Sequence, residues 1–216
     1  MMISDYPFLP SILAGLEQFS NKRVLIGIVG PPASGKSYLV KKIVLEVNQD
    51  LGEDVATYFS MDGYHYHNDF LHERGMYVHK GAHFTFDAEG FIQKLVEIKE
   101  FDGAVNSPIY DRSLHNPTPD GDLIKETHRM VFVEGNYLMT TIYPWIIIKY
   151  LLDYSVFLEV ELQVQIDRLM MRHMASGKSR QEAADKIART DLPNSALILE
   201  SKQRTDYVLK PQANFR

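Results

Sequence analysis

Apolar positions along this chain follow two rhythms. Short runs with few polar breaks, Arg23–Val29, Val55–Ser60, Met130–Val133, Tyr154–Val160 and Thr205–Leu209, read as buried strands, because a strand covered on both faces has no polar side. Between them, residues 36–49, 141–152, 161–175 and 180–190 carry helical spacing. A helix runs from an N-cap at Asp87 to about Glu100, and another opens at Asp191-Leu-Pro-Asn-Ser. A short amphipathic helix over 4–20 precedes the first strand. Strands alternating with helices predict an α/β fold, a three-layer sandwich around a mostly parallel sheet. Two segments break the rhythm. Residues 63–86 are aromatic, His-rich and Gly-punctuated, and read as a long functional loop. Residues 105–127 hold three prolines and a Pro-Asp-Gly turn at Pro119–Gly121, and read as a short hairpin excursion.

Residues 30–37 read GPPASGKS, which is G-x-x-x-x-G-K-[ST]. The match sits where its mechanism needs it, after an apolar strand and before a helix. Gly30 and Gly35 permit backbone angles that other residues resist. The amides of Ala33, Ser34, Gly35, Lys36 and Ser37 can converge on phosphate oxygens at a helix N-terminus, with Tyr38 following. Lys36 would reach the β- and γ-phosphates of ATP, and the Ser37 hydroxyl would ligate Mg²⁺. In a parallel sheet the ligand lies at the carboxyl ends of the strands, where Gly30, Asp62 and Glu134 all fall. Asp62 can accept the proton of an attacking hydroxyl or hold Mg²⁺ through water. Glu134 can hold the metal's water shell or a substrate hydroxyl.

Composition narrows the function classes. The chain has 216 residues, 45% of them hydrophobic and 24% charged, which suits a single domain over 1–216. It has no cysteine, which removes disulfides and cysteine zinc sites and fits a reducing compartment. No basic segment followed by an apolar core opens the chain, and Ile142–Leu152 is too short to span a bilayer, so a cytoplasmic protein without membrane contact is expected. The net charge of −5 argues against nucleic acid as a partner. Against that background, Arg168–Arg189 carries six basic residues and two acids, a local preference for an anion. The only Asn-Lys lies upstream at 21–22, so no guanine-reading motif accompanies the loop. Among the histidines, His65-x-His67 could offer two metal ligands. Contacts from histidine to substrate hydroxyls are the expectation, with Tyr64, Phe84 and Tyr110 as an apolar wall.

Taken together, GPPASGKS, Met-Asp62-Gly-Tyr-His65, Lys80-Gly-Ala-His-Phe-Thr-Phe-Asp87, Pro108-Ile-Tyr110-Asp-Arg112 and Val133-Glu134-Gly-Asn136-Tyr resemble the phosphoribulokinase/uridine kinase/pantothenate kinase group of P-loop kinases. The resemblance covers nearly the whole chain. The tracts at 62–63 and 80–87 look like pantothenate kinases. Pro108-x-Tyr110-Asp111-x-x-x-His115 is similar to uridine kinases, although Arg112 and Pro117 depart from that pattern. The whole set looks closest to a bacterial branch of sugar (fructose-type) or nucleoside kinases. The resemblance implies a P-loop NTPase fold using ATP and Mg²⁺, with a helical lid over about 168–190 whose Arg168 and Arg172 close on the phosphates. It implies Asp62 as catalytic base and a small hydroxyl compound as acceptor. It also implies acceptor-binding insertions at about 62–86 and 105–127, contributing Lys80, Arg112, His115 and, from the strand end, Asn136, and a homodimer. The other readings are a nucleotide switch without an acceptor, and a uridine or nucleoside kinase proper.

Overall fold

The computed structural model describes residues 6–16, 23–119 and 121–210. Helix α1 (Leu9–Leu16) precedes β1 (Val24–Val29), the phosphate-loop candidate and α2 (Lys36–Leu51). Of the helix expected over 4–20, residues 4, 5 and 17–20 lie outside the described residues. Strand β2 (Ala56–Ser60) runs into a 3₁₀ turn over Met61–Tyr64. The segment that reads as an open loop is more ordered than its composition suggests: it contains α3 (Asn68–Glu73) and two further 3₁₀ turns, Tyr77–His79 and His83–Thr85. Helix α4 (Ala88–Glu100) follows, its Asp87 side chain accepting from the Gly90 amide as an N-cap should.

The excursion is four short strands, β3 (Val105–Asn106), β4 (Ile109–Asp111), β5 (Asn116–Thr118) and β6 (Leu123–Ile124). β4 pairs with β5 and β3 with β6, both antiparallel. The β4–β5 reversal falls at 112–115, not at Pro119–Gly121, whose Asp120 lies outside the described residues. The Asp111 carboxylate makes it, accepting from the Ser113 amide (2.7 Å), the Ser113 hydroxyl (2.6 Å) and the Leu114 amide (3.1 Å). His115 closes it with φ of 51°.

Strand β7 (Met130–Gly135) runs on through Glu134 and Gly135. Where a helix was expected over 141–152 there is only a 3₁₀ helix, Trp145–Tyr150, since Pro144 cannot donate into a helix arriving from 141. Then come β8 (Tyr154–Leu158, two residues shorter than expected), α5 (Leu162–Ala175), α6 (Arg180–Lys186), α7 (Leu192–Glu200) and β9 (Tyr207–Leu209). α6 and α7 join through a π-helical turn, Ile187–Asp191. Pro193 accounts for the widening: it has no N–H for the carbonyl four residues back, at Arg189.

Four strands of five or six residues and the three-residue β9 form one parallel sheet in the order β2-β7-β1-β8-β9. Every residue of β1 and β7 is buried, as a sheet covered on both faces requires. Alternate side chains feed two separate cores. Val24, Ile26, Ile28, Met130, Phe132, Val156 and Leu158 pack with α1 and α2. Leu25, Val29, Val131, Val133 and Phe157 pack with α4 and Trp145. Arg23, 6% exposed, ties the lower edge of the second layer to the sheet. Its guanidinium donates to the carbonyls of Ile98, Phe101, Gly103, Lys125 and His128 at 2.6–3.3 Å.

Candidate active site

The loop after β1 is bent to receive an anion. Ala33 and Gly35 both take left-handed conformations, with φ of 60° and 101°. Gly35 begins α2 without a side-chain cap, so the first amides of that helix point outward without an intrahelical acceptor. Gly30 is required by space: a Cβ there would stand 2.7 Å from the Leu158 carbonyl oxygen. The Lys36 ammonium folds back onto the carbonyls of Gly30 (2.8 Å) and Pro31 (2.9 Å). Burial lowers its pKa to about 8, Glu134 and Asp62 oppose that shift, and Arg172 adds to it.

Two carboxylates stand at the ends of adjacent strands. Ser60 and Glu134 are register partners across β2 and β7. The Ser60 hydroxyl donates to Glu134 Oε1 at 2.6 Å, and the Ser37 hydroxyl donates to the same atom at 3.0 Å. Burial raises the Glu134 pKa, and Asp62 raises it further; Lys36 and the two hydroxyls pull the other way. Asp62 sits on the 3₁₀ turn after β2, its amide donating to Ser60 Oγ at 3.2 Å. Its carboxylate lies 3.9 Å from Arg112 Nη2. Gly63 beside it lets the β4 hairpin close in: a Cβ there would meet the Pro108 carbonyl oxygen at 2.2 Å. Among the described residues no three His, Cys, Asp or Glu side chains form a metal cage. A hydroxyl and two mutually repelling carboxylates do suit a hydrated Mg²⁺ that completes its shell with phosphate oxygens.

Beyond Asp62 lies a second group of polar residues. His65 Nδ1 is 2.8 Å from the Asp62 carbonyl oxygen, so its neutral ring donates there. Burial lowers its pKa, with Asp62 opposing. Its ring packs on Phe86 (3.9 Å between centroids) and Tyr110 (4.8 Å). The Lys80 ammonium lies 5.1 Å from the Tyr110 ring centroid and donates to Asn68 Oδ1 and the His115 carbonyl. From the other side, Arg168 Nη1 donates to the carbonyls of Ser34 (3.2 Å) and Ala33 (3.4 Å). Gln165 donates to the Pro32 carbonyl at 3.0 Å. His173 and Asp191 pair at 2.7 Å, bracing α5 against the π turn.

One cleft of about 1830 Å³ joins these groups. Every candidate site residue singled out from sequence lines it except Gly30, Ser34, Tyr64, His67 and Phe84. Gly30 and Ser34 lie beneath the loop they shape. Tyr64 is a correction: it turns into the core, edge-on to Phe59 (5.8 Å) and Phe91 (5.2 Å). Phe84 is a second: it is exposed against His79 and His83 and forms no part of the wall. Phe86 and Tyr77 take those places. Both tyrosine and phenylalanine assignments failed because short 3₁₀ turns set side-chain direction in this segment, and sequence spacing does not reveal them. His72, His79 and His83 are drawn into ring contacts, His72 stacking on Tyr77, while His67 Nδ1 lies 3.8 Å from Asp69 Oδ2. Lys186 and Asn194, which sequence reasoning missed, also line the cleft.

Residues 25–214 match the model of the phosphoribulokinase / uridine kinase family. The chain is 30% identical to "Uncharacterized protein YggC" of Escherichia coli over 92% of its own length and 83% of that protein. It is 31% identical to "Putative uridine kinase C227.14" of Schizosaccharomyces pombe, over 88% and 83%. Among solved structures, a "putative fructose transport system kinase" from Silicibacter superposes with a TM-score of 0.85 at 28% identity, covering 93% of this chain and 96% of that one. No helix of the described residues is long and apolar enough to cross a membrane. A parallel five-stranded sheet, a phosphate loop and a family match over most of the length agree: this chain is a P-loop kinase belonging to the phosphoribulokinase / uridine kinase family.

Proposed function

We propose that this protein transfers the γ-phosphoryl group of ATP to a hydroxyl of a small polar metabolite. The observation that carries the reading is that Asp62 shares one cleft with Lys36 on one side and with a polar, aromatic-walled space on the other. A switch protein needs the first half of that cleft and has no use for the second. The names of two relatives point to a nucleoside in one case and fructose in the other, both hydroxyl compounds. In this reading 1–216 act as one kinase domain in the cytoplasm. Residues 168–190 are its lid, and the insertions at 62–86 and 105–127 face the acceptor.

The amides of residues 33–37 and the Lys36 ammonium hold the triphosphate. Ser37, with Asp62 and Glu134 behind it, would hold Mg²⁺, which would supply neutralising charge when bound. Asp62 orients the acceptor hydroxyl and takes its proton as the new O–P bond forms. The bond to the β-phosphate oxygen breaks, and its electron pair leaves with ADP. Lys36, Arg168 and Arg172 offset the charge spread over the transferring group. His65, Tyr110 and Asn136 position the acceptor, and closure of α5 and α6 keeps water from competing.

The test is ADP release from MgATP across a panel of sugars, nucleosides and pantothenate, with Lys36→Ala as control. Acceptor-dependent release that disappears in Lys36→Ala is the expected result. ATP binding with release that no acceptor raises would reject the reading in favour of a switch.

A further inference from the structure

The acceptor half of the cleft holds more positive charge than its carboxylates balance. The Lys80 ammonium donates only to neutral oxygens, Asn68 Oδ1 and the His115 carbonyl. Lys186, arriving from α6, donates to the carbonyls of Lys80 (2.9 Å) and Val78 (3.4 Å). Arg112 and Arg172 line the same cleft, Arg172 being the lid arginine assigned above to the transferring group. Among the described residues the only ion pair of these four is the 3.9 Å contact between Arg112 and Asp62.

The charge environment changes along the cleft. Lys36 faces Glu134 and Asp62, which support its charge against burial. Lys80 meets the opposite: burial and the neighbouring Lys186 together lower it to about 8. Asp191 supports Lys186, and nothing acidic supports Lys80. Two neighbouring ammonium groups partly out of water, without a counter-ion on the nearer one, are stabilised by an incoming anion. A purely neutral acceptor would leave that charge unanswered.

We propose that the phosphoryl acceptor is itself an anion, a small hydroxyl compound whose carboxylate or phosphate group is bound by Lys80 with Lys186 behind it. This rests on the kinase reading above and narrows its substrate class. His65 lies between the two ends, bonded to the Asp62 carbonyl, while Tyr110 carries the apolar part of the acceptor past Lys80.

The experiment fills the donor loop with Mg²⁺ and the non-transferable β,γ-methylene analogue of ATP. Titration calorimetry then follows glycerate, glycerol 3-phosphate and neutral glycerol on the wild type, Lys80→Gln and Lys80→Arg. At least one anion is expected to bind ten-fold or more tighter than glycerol. The preferred anion distinguishes carboxylate from phosphate. Lys80→Gln should remove the preference and Lys80→Arg should keep most of it. Lys186→Gln, a change on a different element, should reduce it by about three-fold. Anions no tighter than glycerol, or a preference that survives Lys80→Gln, overturn the proposal. ADP release from MgATP is read separately. A Lys80-dependent anion site in a protein that phosphorylates nothing would remove the kinase reading and leave the anion site. Efficient turnover of a neutral acceptor, indifferent to Lys80→Gln, would do the reverse.

Discussion

Asp62 carries the proposed chemistry on a single carboxylate, held by the Ser60 hydroxyl at its amide and screened by Arg112 at its side chain. Asp62→Asn keeps the shape and loses the proton acceptor. It should lower kcat by about 100-fold or more while leaving ATP affinity within a few-fold; equal turnover would remove Asp62 from the role of base. Lys36 gives a pH signature. Its resting pKa is about 8, and the charged form grips phosphate. Thus kcat/KM for ATP should hold below that pH and fall as pH rises through it. A profile flat to pH 10 would mean that the Lys36 ammonium is not shifted. These residues were legible in the sequence because the loop and the strand ends fix their positions by chain connectivity. Tyr64 and Phe84 were not, because which way a ring points from a 3₁₀ turn depends on its packing: Tyr64 turns onto Phe91 of α4, and Phe84 turns outward onto His79 and His83.

At the scale of elements, the β4–β5 hairpin reaches Asp62 only because Gly63 has no side chain. Gly63→Ala puts a methyl 2.2 Å from the Pro108 carbonyl oxygen and must push the hairpin, with Tyr110 and Arg112, outward. The expected result is an acceptor KM raised ten-fold or more with ATP affinity little changed; equal losses at both substrates would show that the turn and not the hairpin had moved. The strands were readable because their burial is nearly continuous. The π turn and the aborted helix after Pro144 were not, since a proline reports where an α-helix cannot pass but not what replaces it. Likewise the hairpin reversal went to Asp111, whose carboxylate collects three local donors, over the more familiar Pro-Asp-Gly.

Over the whole molecule, the sheet divides two cores that share every central strand, and Arg23 fastens the α4 side of that arrangement. Arg23→Ala leaves five carbonyls short of a donor and should cost about 3 kcal/mol, a fall in Tm of roughly 6–12 °C. Thermal unfolding within 2 °C of wild type would show that water replaces the guanidinium. Arg23 sits at the expected strand start, yet nothing in the sequence marks it as the staple of α4, because its partners lie 75 to 105 residues away. The contact from Lys186 to the Lys80 carbonyl has a wider effect than its 2.9 Å suggests. It runs between the helix over the donor end and the turn beneath the acceptor, through a backbone atom that no substitution at 80 removes. If each ligand tightens that contact, each must raise the other's affinity by the same factor. When acceptor is scarce, nucleotide would then leave as readily as it arrives, and the cell's ATP would not drain away to water through an idle enzyme.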